Sequence, residues 1–171
     1  MTPPAPAPTS GLVLVWAAAA AGGLHALASL YWALGGRWLL ATVGTWAVDL
    51  TDARPVLAGL GLGLVALVKL VAAVVPVLVA YDRLPWSRLW RGVSWVGGLA
   101  LVAYGGLNTL VAQLVLAGAL GSADGYDPVS MTGHAWLWDP LFLLWGGALC
   151  LHLLATRRPV PSSGPAPAHP W

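Results

Sequence analysis

The sequence predicts an all-α fold, an integral membrane four-helix bundle that is N-in/C-in, with a short amphipathic interfacial helix between helices 1 and 2. Three observations support this prediction. Hydrophobic residues make up 58% of the 171 residues, and charged residues only 8%. The apolar residues form four stretches that reach or approach the roughly 20 residues a helix needs to cross about 30 Å of hydrocarbon. The basic residues flank mainly one side of these stretches, which indicates how they are oriented.

Each apolar stretch is expected to be helical, because lipid offers no hydrogen-bond partner to backbone groups. Pro76 removes one backbone hydrogen bond and predicts a kink near the end of the second helix. The first span is expected to be retained, because Met1–Ser10 carries none of the basic residues of a cleaved signal peptide. The predicted spans are residues 12–34, 56–80, 93–120 and 138–156.

The arginines predict the orientation. Cytoplasmic loops carry an excess of Lys and Arg, and five of the seven arginines flank one side of the predicted membrane. We therefore expect a multi-pass protein of the cell inner (plasma) membrane with both termini in the cytoplasm. The cytoplasmic set is Arg83, Arg88, Arg91, Arg157 and Arg158, and the opposite side carries Arg37 and Arg54 with Asp49, Asp52, Asp124, Asp127 and Asp139.

The segments outside the spans differ in character. Residues 1–10 and 158–171 alternate Pro with small residues and are predicted to be disordered tails around a transmembrane domain of residues 11–157. Between the first two spans, apolar residues recur at helical spacing from Trp38 to Leu50. This pattern predicts a short amphipathic helix lying on the outer face of the membrane.

Composition excludes several classes of function. The net charge is only +2 and the basic residues are scattered, so no nucleic-acid partner is expected. The single cysteine, Cys150, excludes an intramolecular disulfide and a C-x-x-C motif. His25 and His152 differ in depth by roughly 10 Å, too far apart to ligate one haem iron. No zinc-binding pattern is present, and we expect no cofactor and no metal.

A candidate polar pocket lies within the membrane. Lys69, the only lysine, is near the centre of the second span, where a charge costs about 3 to more than 10 kcal/mol. His25 and Asn108 lie at nearly the same depth in the first and third spans. The three residues could therefore form one pocket, although Lys69 could equally line a wet crevice without further function.

A second candidate site lies at the outer rim, where aromatic, basic and acidic residues are dense. Most aromatic residues there are expected to be interface anchors. Asp139 followed by Pro140 predicts a helix start, with Asp139 as N-cap and Pro140 in the first turn. The candidate rim residues are Trp32, Arg37, Trp38, His134, Trp138 and Asp139.

Glycines are concentrated inside the spans, and small residues let membrane helices approach closely, so these glycines predict helix contact faces. They include the pairs Gly22–Gly23, Gly97–Gly98, Gly105–Gly106 and Gly146–Gly147.

Two segments resemble a family of small bacterial four-helix integral membrane proteins that is catalogued as a domain of unknown function. The first runs from Leu24-His25 through Tyr31-Trp32-Ala33-Leu34-Gly35-Gly36-Arg37-Trp38, and the second opens the last helix with Trp138-Asp139-Pro140-Leu141-Phe142 and continues through His152. The resemblance covers residues 12–156 and implies the same four-helix topology. It implies no reaction, and Lys69 lies outside both motifs. It draws attention to His25, Trp32, Gly35, Gly36, Trp138, Asp139 and Pro140.

Three functions remain open. The first is a non-enzymatic structural, accessory or lipid-binding module, with membrane lipids as partners and a homo-oligomer or a membrane-protein partner as further possibilities. The second is an intramembrane enzyme that acts on a hydrophobic lipid or isoprenoid through His25, Lys69 and Asn108. The third is an oligomeric transporter or channel in which Lys69 lines an anion path.

Overall fold

The computed structural model describes residues 9–121 and 125–157, and every regular element in these ranges is helical. This confirms the predicted all-α class. The predicted tails lie outside the described residues, except that Thr9 and Ser10 already belong to the first helix. The helices are α1 (Thr9–Ala33), α2 (Thr45–Ala53), α3 (Pro55–Ala80), α4 (Ser87–Leu116), α5 (Pro128–Gly133) and α6 (Asp139–Ala155), with a 3₁₀ turn at Leu40–Thr42 and a π-helical turn at His134–Trp138 between α5 and α6.

Four helical segments in the described ranges are long and apolar enough to cross a membrane, as predicted. The fourth is longer than expected, since it begins at Pro128 rather than Trp138 and continues through the π-helical turn. Its first turns contain the polar residues Ser130, Thr132 and His134, which lower the apolar content of this part of the sequence. The four segments are Ser10–Ala33, Pro55–Ala80, Ser87–Leu116 and Pro128–Ala155.

The prediction that Asp139 caps a helix is wrong. The backbone is already helical before Asp139, whose φ and ψ are −77° and −37°. The same Asp-Pro pairing occurs earlier, at Asp127 and Pro128, and there it does start a helix. The Asp127 carboxylate accepts a hydrogen bond from the Val129 N–H at 3.0 Å, which satisfies one of the free donors of the first turn.

The short helix between the first two spans is present, but it starts later than predicted. The helical spacing suggested residues 38–50, whereas α2 covers Thr45–Ala53. Two positive φ angles interrupt the earlier part, 60° at Leu39 and 140° at Gly44. Residues 34–44 therefore form an irregular connection around one 3₁₀ turn, and we call this connection the rim loop.

α1 and α6 are the inner pair of the bundle. α1 packs along α3 on one side and α6 on the other, and α6 in turn packs along α4, while α3 and α4 touch only sparingly. The bundle is therefore closed along three of its seams and loosely closed along the fourth, between α3 and α4. The buried core between α1 and α6 centres on Trp145 and Leu149.

Glycine permits the close contact between α4 and α6. A β-carbon on Gly146 would lie 2.6 Å from the Gly98 carbonyl oxygen, and one on Gly105 would lie 2.6 Å from the Asp139 carbonyl oxygen. The backbones thus touch where larger side chains would hold them apart, as predicted for small residues in membrane helices.

Polar contacts join the helices at the end of the bundle where α1 begins. The His152 Nδ1–H donates to the Gly11 carbonyl oxygen at 2.7 Å and links α6 to the start of α1. Arg91 donates to Thr156 Oγ1 at 3.0 Å and to the Leu153 carbonyl oxygen at 3.1 Å. The bond to Leu153 satisfies a carbonyl group in the last turn of α6.

We expect Gly146→Ala to destabilise the protein by about 1–3 kcal/mol, because the added methyl group would collide with the α4 backbone. Gly147→Ala is the matched control, since nothing lies within 4 Å of a β-carbon at that position. The measurement is the free energy of unfolding in mixed detergent micelles. Equal stability of the two variants would contradict the packing assigned to Gly146.

Candidate functional site

Lys69 reaches from α3 toward α1 and is half-buried. Its Nζ donates to Ser29 Oγ at 3.0 Å and lies 3.3 Å from His25 Nδ1. The same nitrogen lies 5.4 Å from the centroid of the Phe142 ring on α6, close enough for a cation–π contact. The lysine amine is therefore held by α1 and α6 rather than projecting into lipid.

The hydrogen bonds of His25 assign its tautomer. Its Nε2 lies 3.0 Å from the Trp138 carbonyl oxygen, and a carbonyl only accepts, so Nε2 carries the hydrogen. In the neutral imidazole, Nδ1 is then an acceptor and takes a hydrogen bond from Lys69. The ring is only 3% exposed and stacks on Phe142 with the centroids 3.8 Å apart.

The Lys69 amine has one hydrogen-bonding position beyond these two partners. Ser29 and His25 take two N–H groups, which leaves either a third N–H of an ammonium or the lone pair of a neutral amine. Neither of the two ion pairs in the described parts of the chain involves Lys69. In the ammonium form, this third N–H can donate to an oxygen acceptor supplied from outside the chain.

Geometry also explains why Lys69 meets two residues of the same helix. Ser29 and His25 are one turn apart on α1, about 6 Å along the axis, so they lie on one face. The sequence reasoning missed Ser29, although its spacing of four residues from His25 was a usable signal. Side chains of helical residues lean toward the helix N-terminus, so Lys69 extends toward the rim-loop end of the bundle.

Asn108 is not brought into this group. It is half-buried on α4, and no hydrogen bond within residues 9–121 and 125–157 involves its side chain. Because α4 packs mainly on α6 and only sparingly on α3, equal depth did not make Asn108 a neighbour of Lys69. The observed group consists of Lys69, His25, Ser29 and Phe142, and we call it the lysine site.

At the rim, two of the predicted aromatic residues hold the rim loop. Trp32 and Trp138 are buried and meet edge to face with centroids 5.1 Å apart. The Trp32 indole donates to the Trp38 carbonyl oxygen at 2.9 Å, and the Trp138 indole donates to Thr42 Oγ1 at 2.9 Å. Trp38 itself is exposed and contributes its backbone to this arrangement.

His134 and Asp139 form a pair on the π-helical turn. His134 Nδ1 lies 2.9 Å from Asp139 Oδ2, and His134 Nε2 lies 3.2 Å from the Val43 carbonyl oxygen in the rim loop. The Asp139 residue is only 1% exposed. The aspartate that sequence reasoning assigned to helix capping thus pairs with histidine instead.

Arg37 belongs to a separate, exposed ion pair. It donates to the Asp52 carboxylate on α2 and so ties the rim loop to that helix. The hydrogen bond from Arg37 holds the pKa of the Asp52 carboxyl below its usual value, and the same contact raises the pKa of Arg37. Exposure and solvent screening make this pair a poor candidate for chemistry.

No cluster of three or more His, Cys, Asp or Glu side chains able to hold a metal ion occurs in residues 9–121 and 125–157. The two buried histidines instead bond to backbone carbonyl oxygens, His25 to Trp138 and His152 to Gly11.

The two sequence segments that carry the family resemblance lie against each other. His25 and Trp32 come from the first segment, and both contact Trp138 of the second. No curated protein and no solved structure matches the chain. A family model described as "Protein of unknown function (DUF3995)" matches residues 22–149, a range that contains the lysine site and the His134–Asp139 pair. The match confirms the predicted resemblance to an uncharacterised family, and the chain belongs to the DUF3995 family.

Proposed function

We propose that this chain is a non-enzymatic integral membrane protein that binds one membrane-soluble amphiphile at the lysine site. The observation that carries the proposal is the Lys69 amine, which is fixed by Ser29 and His25 and retains one unfilled hydrogen-bonding position. The head group of the amphiphile would present an oxygen acceptor, either anionic or carbonyl, to that position.

The arrangement of the helices supports entry from the bilayer. α3 and α4 are in sparse contact, so the seam between them is the loosest of the bundle. Lys69 stands on one side of this seam. On the other side, Tyr104 of α4 is half exposed and packs edge to face on Phe142, with centroids 5.6 Å apart. An apolar tail would lie along the exposed leucines and valines of α3.

We further infer a multi-pass location in the inner (plasma) membrane with both termini in the cytoplasm. Arg91 of α4 bonds to the last turns of α6, and Arg157 lies 5.1 Å from the Trp95 ring, so these arginines share one end of the bundle. The excess of arginine at this end favours the cytoplasmic side. The rim loop then faces the opposite side.

An intramembrane enzyme acting on a lipid or isoprenoid is the second candidate. It is favoured by the direct contact of Lys69 with His25, since two neighbouring groups that can donate and accept protons suit acid–base chemistry. Asn108, which the sequence placed in this pocket, lies outside the lysine site and has no role in this second candidate function. Among the described residues, the lysine site contains no other side chain that titrates, so the geometry supports binding better than reaction.

We expect native mass spectrometry of the detergent-purified protein to show one bound amphiphile per protomer. Lys69→Met should lower its retention about tenfold or more, because a hydrogen bond from a charged donor contributes about 1.5–3 kcal/mol. Arg88→Met is the matched control, since it removes an exposed arginine at the other end of the bundle. Full retention by Lys69→Met would refute the proposed site, and an oligomer in the same spectra would favour the transporter alternative.

The enzyme alternative is tested by chemical analysis of the extracted lipids. We expect wild type and Lys69→Met to differ in the amount of bound amphiphile but not in its structure, because binding changes no covalent bond. A converted lipid that accumulates only with the wild-type protein, and disappears in both Lys69→Met and His25→Phe, would favour the enzyme.

The orientation predicts which end of the bundle reacts with a membrane-impermeant thiol reagent in intact cells. In a Cys150→Ala background, we expect a cysteine replacing exposed Trp38 to be labelled and one replacing exposed Arg88 to be protected until the cells are opened. The reverse pattern would overturn the orientation without affecting the lysine site.

A further inference from the structure

We propose that His134 and Asp139 form a proton-binding site at the rim, and that their single shared proton holds the rim loop against the π-helical turn. The site is separate from the lysine site and does not depend on the function proposed for it. Its ligand is a proton from the adjacent aqueous phase, which can reach the pair because the His134 side chain is 27% exposed.

Hydrogen-bond accounting shows why one proton is needed. His134 Nε2 faces the Val43 carbonyl oxygen, which only accepts, so Nε2 carries a hydrogen. His134 Nδ1 faces Asp139 Oδ2 at 2.9 Å, and this contact also needs a hydrogen. That hydrogen is held either by an imidazolium facing a carboxylate or by a carboxylic acid facing a neutral imidazole. Both forms contain the same number of protons.

Loss of the proton breaks this arrangement. A neutral imidazole has one N–H, and beside an ionised Asp139 it can donate to the carboxylate or to Val43, but not to both. The carboxylate is the stronger acceptor and is buried, so the N–H goes to Asp139. The Val43 carbonyl then loses its donor, and the rim loop loses one of its anchors on the turn.

The surroundings make the pair the titrating unit. α4 faces this turn with Gly105, which lies against the Asp139 backbone, and with the neutral amide of Gln113. The rim loop contributes Thr42 and Val43, while its arginine, Arg37, is paired with Asp52 at the surface. α1 contributes His25, whose Nε2–H is bonded to the Trp138 carbonyl. α5 is capped by Asp127, which is half-buried and accepts a hydrogen bond from the Val129 N–H.

The direction of the pH effect follows. The docked loop requires the shared proton. Docking is therefore complete at pH values below the midpoint of the pair and weakens as the pH rises through it.

Hydrogen–deuterium exchange of the full chain in nanodiscs tests the proposal. The amides of Leu40, Thr42 and Val43 are among those that are hydrogen-bonded in the docked rim loop. After correction for intrinsic exchange, we expect their protection in the wild type to fall about three- to tenfold from acidic to alkaline pH, the effect of losing one typical hydrogen bond. Asp139→Asn should abolish this fall, because the introduced amide can donate to Nδ1 while a neutral His134 keeps its Nε2–H on Val43.

Trp138→Phe is the matched control, because it weakens the docking of the rim loop without removing a titratable group. It removes the neutral bond to Thr42, so protection should be lower at every pH while the pH-dependent fall is kept. Protection independent of pH in the wild type, or an unchanged fall in Asp139→Asn, would overturn the proposal.

A measurement on the wild type alone keeps the test decisive if Asp139→Asn does not fold. In ¹⁵N-histidine NMR spectra, one ring nitrogen of His134 should lose its proton at the same midpoint as the loop loses protection. A His134 Nε2 that keeps its proton while the loop opens would show that another group controls docking.

Discussion

The hydrogen bond from His25 to the Trp138 carbonyl is the contact on which the lysine site and the His134–Asp139 pair both depend. It joins the inner helix α1 to the junction between the π-helical turn and α6. Pro140 lies two residues after Trp138 and has no N–H that could donate to a carbonyl group of the preceding turn. Gln113 of α4 supplies a donor to the Ala135 carbonyl, which lies five residues before Pro140, and His25 of α1 donates to the Trp138 carbonyl of the same turn. In a membrane, where water cannot replace them, such donors fix the position of the turn.

This bond also determines what Lys69 can do. With the hydrogen of His25 on Nε2, its Nδ1 is an acceptor, and the lysine must be the donor in their contact. Had the ring turned over, Lys69 would face an N–H and be repelled. A backbone carbonyl on α6 therefore sets the direction of a hydrogen bond between α1 and α3.

The sequence predicted the helices well and the polar contacts only in part. Span length and apolar content identified four membrane helices, because those properties are local. Equal depth correctly suggested His25 beside Lys69, but it could not exclude Asn108, since depth says nothing about which helices are adjacent. The Asp-Pro motif was recognised at Asp139 and overlooked at Asp127, although only the second starts a helix. Helix order and the π-helical turn arise from packing across the bundle, which no local pattern encodes.

On the lower measure of the cost, the local partners of Lys69 are sufficient to keep an amine inside the membrane. Hydrogen bonds between membrane helices contribute about 0.6 kcal/mol each, and a desolvated cation–π contact contributes about 2 kcal/mol. Ser29, His25 and Phe142 together thus offset about 3 kcal/mol, the lower measure of the cost of a central lysine. On that measure, folding does not require the remaining hydrogen-bonding position to be filled. An external ligand can bind and leave while the bundle stays intact, as a reversible binding site requires.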